Sequence, residues 1–269
     1  MPSPSATSRS RPSPLILASL GVHGAALAAV LARPGAWPWA LGAVVTDHAL
    51  LAGAGLWPRS RLLGPNWTRL PATDGAQVAL TIDDGPDPEI TPQVARVLGR
   101  YRAPATFFCI GERVERHPDL TRALAEQGHD IENHSQRHLN RFSLLGPGGL
   151  AGEIERAQQA IEAATGRRPQ FFRAPAGLRS PWLDPVLRRL GLTLASWTRR
   201  GFDTVDSSAE AVYGKLARDL GAGDILLLHD GHAARTRRGV PVILEVLPRL
   251  LDAVLGAGLR PVTLRAALP

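Results

Sequence analysis

The chain has 269 residues, 44% of them hydrophobic and 20% charged, enough for one sizeable globular domain with additional segments. Its net charge of +7 is carried almost wholly by arginine, Lys215 being the only lysine; these arginines are scattered rather than gathered in a stripe and aromatics reach only 5%, which argues against nucleic-acid binding. The single cysteine, Cys109, excludes an intramolecular disulfide and a cysteine-rich zinc site, and within "TFFCIG" it reads as a small buried hydrophobe.

In chain order, residues 1–14 are rich in Ser and Pro, include Arg9 and Arg11, and are expected to be disordered. Residues 15–58 hold two apolar stretches. Leu15 to Leu31 is apolar apart from Ser19 and His23, and Trp39 to Trp57 is interrupted by Asp47 and His48. Each is near the roughly 17–25 residues that span a bilayer. Three arrangements fit: a membrane hairpin with both ends in the cytosol, a single anchor with the downstream domain outside, or a signal peptide ending near Ala26-Leu27-Ala28. Arg9/Arg11 and Arg59/Arg61 flank the pair, which favours the hairpin by the positive-inside rule. The signal peptide leaves the second stretch without a role. Against the hairpin stand Asp47 and His48, since ionisable groups at mid-span are costly; they are read as a tolerated polar spot or a helix-packing contact rather than a site. Trp37, Trp39 and Trp57 suit interfacial belts. The expected location is the inner (cytoplasmic) membrane with the downstream domain on the cytosolic face, the alternative being a domain facing the periplasm or exterior.

Residues 59–75 read as a linker, and 76–269 alternate strand and helix. Strands are predicted at Val78–Ile82, Ala105–Ile110, Asp130–Asn133, Gln170–Arg173, Leu192–Trp197, Asp224–Leu228 and Arg260–Leu264. Helices are predicted at Thr91–Tyr101, Pro118–Gln127, Leu150–Thr165, Ser180–Leu190, Ser208–Leu220 and Val240–Leu255, with Gly128, Gly191 and Gly258 as helix-ending glycines. This alternation implies parallel strands joined by crossover helices. The expected fold is α/β, a deformed (β/α) barrel of about seven parallel strands preceded by an N-terminal membrane segment.

In such a barrel chemistry sits at the C-terminal strand ends. Asp83 and Asp84 follow the first strand, His134 and His138 the third; Arg173 ends the fourth, Asp203 follows the fifth and His229 ends the sixth. Each signal alone is weak, but parallel strands would bring all five clusters to one rim. Two histidines four apart plus one carboxylate form a metal-binding set with open coordination positions. The second carboxylate is then free to take a proton from a water. Adjacent Asp83 and Asp84 would escape mutual repulsion if one met a cation and the other an arginine. His117, His129 and His232 read as structural or surface residues.

These residues resemble the polysaccharide deacetylases of the NodB-homology type, carbohydrate esterase family 4. "TIDDG", "HSQRH", "RAPAG", "WTRRGFD" and "LLH" occur in the family's order between Val78 and Leu264, the fourth only as a loose match. The resemblance implies a metal-dependent carbohydrate N-deacetylase that removes an N-acyl group, acetyl or formyl rather than a long chain, from an amino sugar in a polysaccharide or lipid-linked glycan. It implies that Asp83 is the general base and that Asp84, His134 and His138 hold a divalent metal, zinc in most members. Arg173 would keep Asp83 ionised, His229 would protonate the leaving amine, and Asp203 would support His229. Ala176 would offer a backbone N–H to the oxyanion, with Trp197 and Leu227 lining the acyl pocket. Ala176 stands where many members carry a large aromatic, and the fourth motif lacks the usual D-x-x-D-W, so Asp203 rests on position alone. The other function class is a membrane-anchored carbohydrate-binding protein on an inactive deacetylase scaffold; the presence of every ionisable group the mechanism requires argues against it.

Overall fold

The structure, a computed structural model, describes residues 12–71 and 75–268; residues 1–11 of the N-terminal segment expected to be disordered lie outside it. Helix α1 (Pro14–Ala32) starts with Ser13 as N-cap and Pro14 in its first turn, and a short turn over Pro34–Ala36 leads into α2 (Trp37–Leu56). The two helices pack together and leave Leu20, Leu31, Trp39, Leu50 and other large apolar side chains exposed. Both are long and apolar enough to cross a membrane. The mid-stretch polar residues satisfy one another across the pair. The Ser19 hydroxyl donates to Asp47 Oδ2 at 2.7 Å, His23 Nδ1 lies 3.8 Å from the same oxygen, and the His23 and His48 rings are 5.2 Å apart. Asp47 is thereby buried with a hydrogen-bond partner.

The α/β part begins with β1 (Gln77–Asp83), followed by α3 (Thr91–Tyr101), β2 (Thr106–Cys109), α4 (Gly111–Arg116), α5 (Pro118–Glu126), β3 (Asp130–Asn133), α6 (Pro147–Thr165) and β4 (Phe171–Phe172). Then come α7 (Leu183–Arg189), β5 (Thr193–Leu194), β6 (Arg199–Arg200), α8 (Ala209–Ala217), β7 (Ile225–His229), α9 (Val242–Gly256) and β8 (Arg260–Val262). All pairs are parallel, in the order β5-β4-β3-β2-β1-β7-β6, with β8 also on β1. The sheet curls so that its two ends, β5 and β6, are consecutive in the chain. This is the deformed barrel that the alternation predicts. The seam is filled by the segment read as a linker: Trp67 bridges to Ala195, and the Thr198 hydroxyl donates to the Thr68 carbonyl. β6 was not foreseen, because two arginines carry no strand pattern; it forms by pairing with Leu226 and Leu227.

Strand periodicity sorts the side chains. Val78, Leu80 and Ile82 of β1 join Val246, Leu250 and Val254 of α9 in the layer between sheet and helices. Ala79 faces the barrel interior with Phe108, Phe171, Trp197, Ile225 and Leu227. By the same alternation Thr81 and Asp83 also face inward. Arg173 follows β4 and fills that interior, the largest side chain to be fully buried. Its guanidinium donates to Asp83 Oδ1 at 2.7 Å, Thr81 Oγ1 at 2.8 Å, and the carbonyls of Ala195 and Ser196 at 3.2 and 2.7 Å. It lies 4.1 Å from the centre of the Phe108 ring. Burial lowers the Arg173 pKa and the Asp83 charge opposes this.

Removing one partner of such a pair leaves a buried charge uncompensated. Arg173→Met should therefore cost about 3–5 kcal/mol of stability. Arg173→Met combined with Asp83→Asn should cost less than Arg173→Met alone. Equilibrium denaturation followed by tryptophan fluorescence reads both; equal losses would show that the pair does not carry the stability.

Candidate active site

The ends of β1, β3, β4 and β7 surround a cavity of about 290 Å³. Asp83, Asp84, His134, His138, Ala176, Trp197, Leu227 and His229 all line it. Arg173 and Asp203 stand behind, each bonded to a lining residue. The ten residues singled out from the sequence thus meet in one place.

On one wall, Asp84 Oδ1 lies 3.2 Å from His134 Nε2 and 3.4 Å from His138 Nε2, and no hydrogen bond of good geometry reaches it. The donor atoms of these three side chains lie within 4.8 Å of one another. His134 Nδ1 is 2.8 Å from the Arg173 carbonyl, which can only accept, so Nδ1 carries a proton and Nε2 is the ring nitrogen turned toward Asp84. Burial would raise the Asp84 carboxyl, but His134 and His232 outweigh it and hold it well below the usual range. Burial and the neighbouring His134 push His138 down to about 4. Burial would likewise lower His134, but Asp83 and Asp84 raise it instead. A buried carboxylate oxygen without a partner, facing two imidazole nitrogens, is a donor set that fits a divalent cation.

Four non-glycine residues here take left-handed backbone: Asp84 at φ 73°, Ser135 at 65°, His138 at 50° and Ala176 at 53°. Each such residue costs about 1–3 kcal/mol and persists only where its surroundings dictate it. For Ser135 and His138 the causes are visible. Asn133 Oδ1 accepts the Ser135 N–H at 2.9 Å, and Ser135 Oγ accepts the His138 N–H at 3.1 Å. The loop after β3 is thereby folded back so that both histidines face Asp84.

Across the cavity, Asp203 is fully buried and accepts twice from His229: from Nδ1 at 2.8 Å and from the backbone N–H at 2.7 Å. Nε2 is the ring nitrogen left over. Burial would lower the His229 pKa, but the Asp203 hydrogen bond and charge raise it above the ordinary histidine value.

Sequence reasoning missed His232, which was read as a surface residue. Its Nδ1 lies 2.9 Å from Asp84 Oδ2, so it engages the oxygen that the other two histidines leave alone, and Arg113 lies 3.4 Å from its Nε2. Its place three residues after His229 was the one available signal. Arg200 was missed as well; it lines the cavity and lies over Trp197 and Phe202, at 5.4 and 4.9 Å from their ring centres. His129 accepts the Ala105 N–H in the core, away from the cavity. The loop at Ala176 and Gly177 is backed by the chain leaving α2: a Cβ on Gly177 would lie 2.6 Å from Pro58 Cβ.

The α/β part of the chain is similar to known proteins. The profile of the polysaccharide deacetylase family matches residues 71–195. The chain is 35% identical over 175 residues to a peptidoglycan-N-acetylglucosamine deacetylase from Bacillus cereus, covering 64% of this chain and 81% of that protein. It is 35% identical over 159 residues to a chitooligosaccharide deacetylase from Bradyrhizobium, covering 58% of this chain and 71% of that one. Among solved structures, a family 4 carbohydrate esterase from Streptomyces lividans in complex with acetate superposes with a TM-score of 0.63 at 33% identity, covering 71% of this chain and 93% of that chain. With a donor set, a buried arginine–aspartate pair and a histidine–aspartate pair around one cavity, and with relatives matched over most of their length, this chain belongs to the polysaccharide deacetylase family.

Proposed function

We propose that the protein is a membrane-anchored, metal-dependent N-deacetylase of N-acetylglucosamine-containing glycans. Residues 15–58 are its hairpin anchor, 59–75 a connecting segment and 76–269 the catalytic domain, held at the cytosolic face of the inner membrane. The observation that carries the reading is the pair of roles available to two adjacent carboxylates. Asp83 is neutralised by Arg173, and Asp84 faces two histidine nitrogens with an oxygen to spare.

Asp84, His134 and His138 would hold a divalent ion, and a set of two imidazoles and one carboxylate with open positions suits zinc. When bound, that ion supplies Lewis acidity, polarising the acyl carbonyl and acidifying a water. The protein's own groups do the rest. Asp83, kept ionised and aimed by Arg173, takes the water's proton as the new C–O bond forms. The Ala176 N–H donates to the oxygen that gains charge. Trp197 and Leu227 border a space suited to a small acyl group. His229, protonated and oriented by Asp203, delivers a proton to the amine nitrogen as the C–N bond breaks. His232 positions Asp84 by holding its second oxygen.

Asp83→Asn should lower kcat by on the order of 10²–10⁴ while leaving bound zinc unchanged by elemental analysis. His134→Ala should lose both metal and turnover, and His232→Ala should weaken metal affinity by roughly 10–100-fold. Near-normal turnover in Asp83→Asn would remove Asp83 as the base.

The His229 pKa is raised, so its protonated form persists above the ordinary histidine pH and is lost as pH rises through the shifted value. The alkaline limb of kcat should therefore lie above the ordinary histidine value. In Asp203→Asn burial is opposed only by the charges of Asp83 and Asp84, and the limb should move to lower pH. A pH–rate profile whose alkaline limb is unchanged in Asp203→Asn would exclude His229 as the acid.

A further inference from the structure

A second cavity, of about 500 Å³, adjoins the first and shares Trp197 and Arg200 with it. Its lining includes Arg59, Arg199, Arg200 and Lys215 and no carboxylate. Two of these cations are already committed. Arg199 pairs with Asp224 at 2.5 Å and also bonds the carbonyls of Arg218 and Asp219, while Lys215 pairs with Asp206 at 2.7 Å. Arg59 and Arg200 have no acidic partner among the described residues. Arg59 donates only to the Thr198 carbonyl, at 3.1 Å, and Arg200 Nε is buried without a hydrogen-bond partner. The Arg200 guanidinium is fixed against Trp197 and Phe202, so its missing partner is not a matter of a side chain waving in water.

Trp57, the residue that caps the C-terminal end of α2, also lines this cavity. The exit from the helix pair is fastened to the barrel beside the cavity. Arg179 N–H donates to the Gly55 carbonyl at 3.0 Å, where a Cβ on Gly55 would strike the Arg179 carbonyl. Ser196 Oγ donates to the Pro58 carbonyl at 2.7 Å. The cationic cavity therefore lies between the deacetylation site and the end of the apolar helices.

We propose that Arg59 and Arg200 form a subsite for the phosphate of a polyprenyl-phosphate- or polyprenyl-diphosphate-linked N-acyl amino sugar. The proposal rests on the deacetylase reading above. In a 2-acylamino sugar 1-phosphate the acylated nitrogen and the phosphate stand on neighbouring ring carbons, so the two subsites must touch. Here they share Trp197 and Arg200. Two guanidinium groups lining one cavity that holds no carboxylate match a phosphate by charge. An uncharged glycan would offer them no counter-charge. The prenyl chain would leave past Trp57 along α2, where Leu50 and Leu56 are exposed.

The test uses the full chain, zinc-loaded, in lipid nanodiscs, with acetate release read by mass spectrometry. Three substrates are compared: a polyprenyl-diphosphate N-acetylglucosamine, a soluble N-acetylglucosamine oligomer, and uridine diphosphate N-acetylglucosamine. Wild type should favour the lipid-linked sugar in kcat/KM. Arg59→Gln and Arg200→Gln should each lower that preference tenfold or more, mainly through KM. Arg59 is on the surface, so its variant keeps the test open if Arg200→Gln does not fold. Preference for the oligomer, or a lipid preference unmoved by either variant, would overturn the subsite. Equal use of the nucleotide sugar would show a phosphate site that does not read the lipid, and would overturn the lipid assignment. Acetate release from none of the three, with wild type matching Asp83→Asn, would instead overturn the deacetylase reading itself.

Discussion

A buried guanidinium sets the terms for the rest of this structure. Arg173 occupies the middle of the barrel, and its donors reach acceptors on β1 and on the connection between β5 and β6 at Ala195 and Ser196. A charge in that position is tolerable only with a carboxylate beside it and hydrogen bonds on its remaining faces. Strand alternation turns Asp83 inward to meet that requirement, and the pairing of β1 with β7 sets it opposite His229. The polar interior is thus a structural constraint and a chemical one at once. The same side chain that completes the core holds a carboxylate at the cavity wall.

From there the site divides into two halves that are tuned in opposite directions. On the Asp84 side, burial and the positive charge on a neighbouring ring push His138 toward a neutral imidazole, suited to giving a lone pair. On the far side, Asp203 pushes His229 toward the imidazolium, suited to giving a proton. One fold therefore keeps two histidines of opposite character around a cavity of about 290 Å³, using burial in one case and a carboxylate in the other.

Much of this was legible in the sequence because a parallel barrel forces polar residues at strand ends onto one rim. Asp83, Asp84, His134, His138, Arg173 and His229 needed only that topology to be brought together. Asp203 was harder. It follows a strand of two residues and a second short strand that no pattern announces, and its place depends on the turn through Phe202, at φ 63°. His232 was illegible because its partner is 148 positions away on another strand end. The seam filled by Trp67 and Thr68 was illegible for a related reason. A short irregular segment carries no periodicity, and only the missing strand pair between β5 and β6 gives it a task.

The junction at Gly55 and Pro58 has a consequence for how the chain could be divided. Gly55 is threaded against the Arg179 carbonyl, and Pro58 stands behind Gly177 in the loop that borders the cavity. The helix pair and the barrel are therefore not exchangeable modules. A fragment beginning after Pro58, or a chimera carrying the apolar helices of another protein, would leave the Ala176–Gly177 loop without its backing. Change at this junction has to be concerted, with the last turn of α2 and that loop altering as one unit.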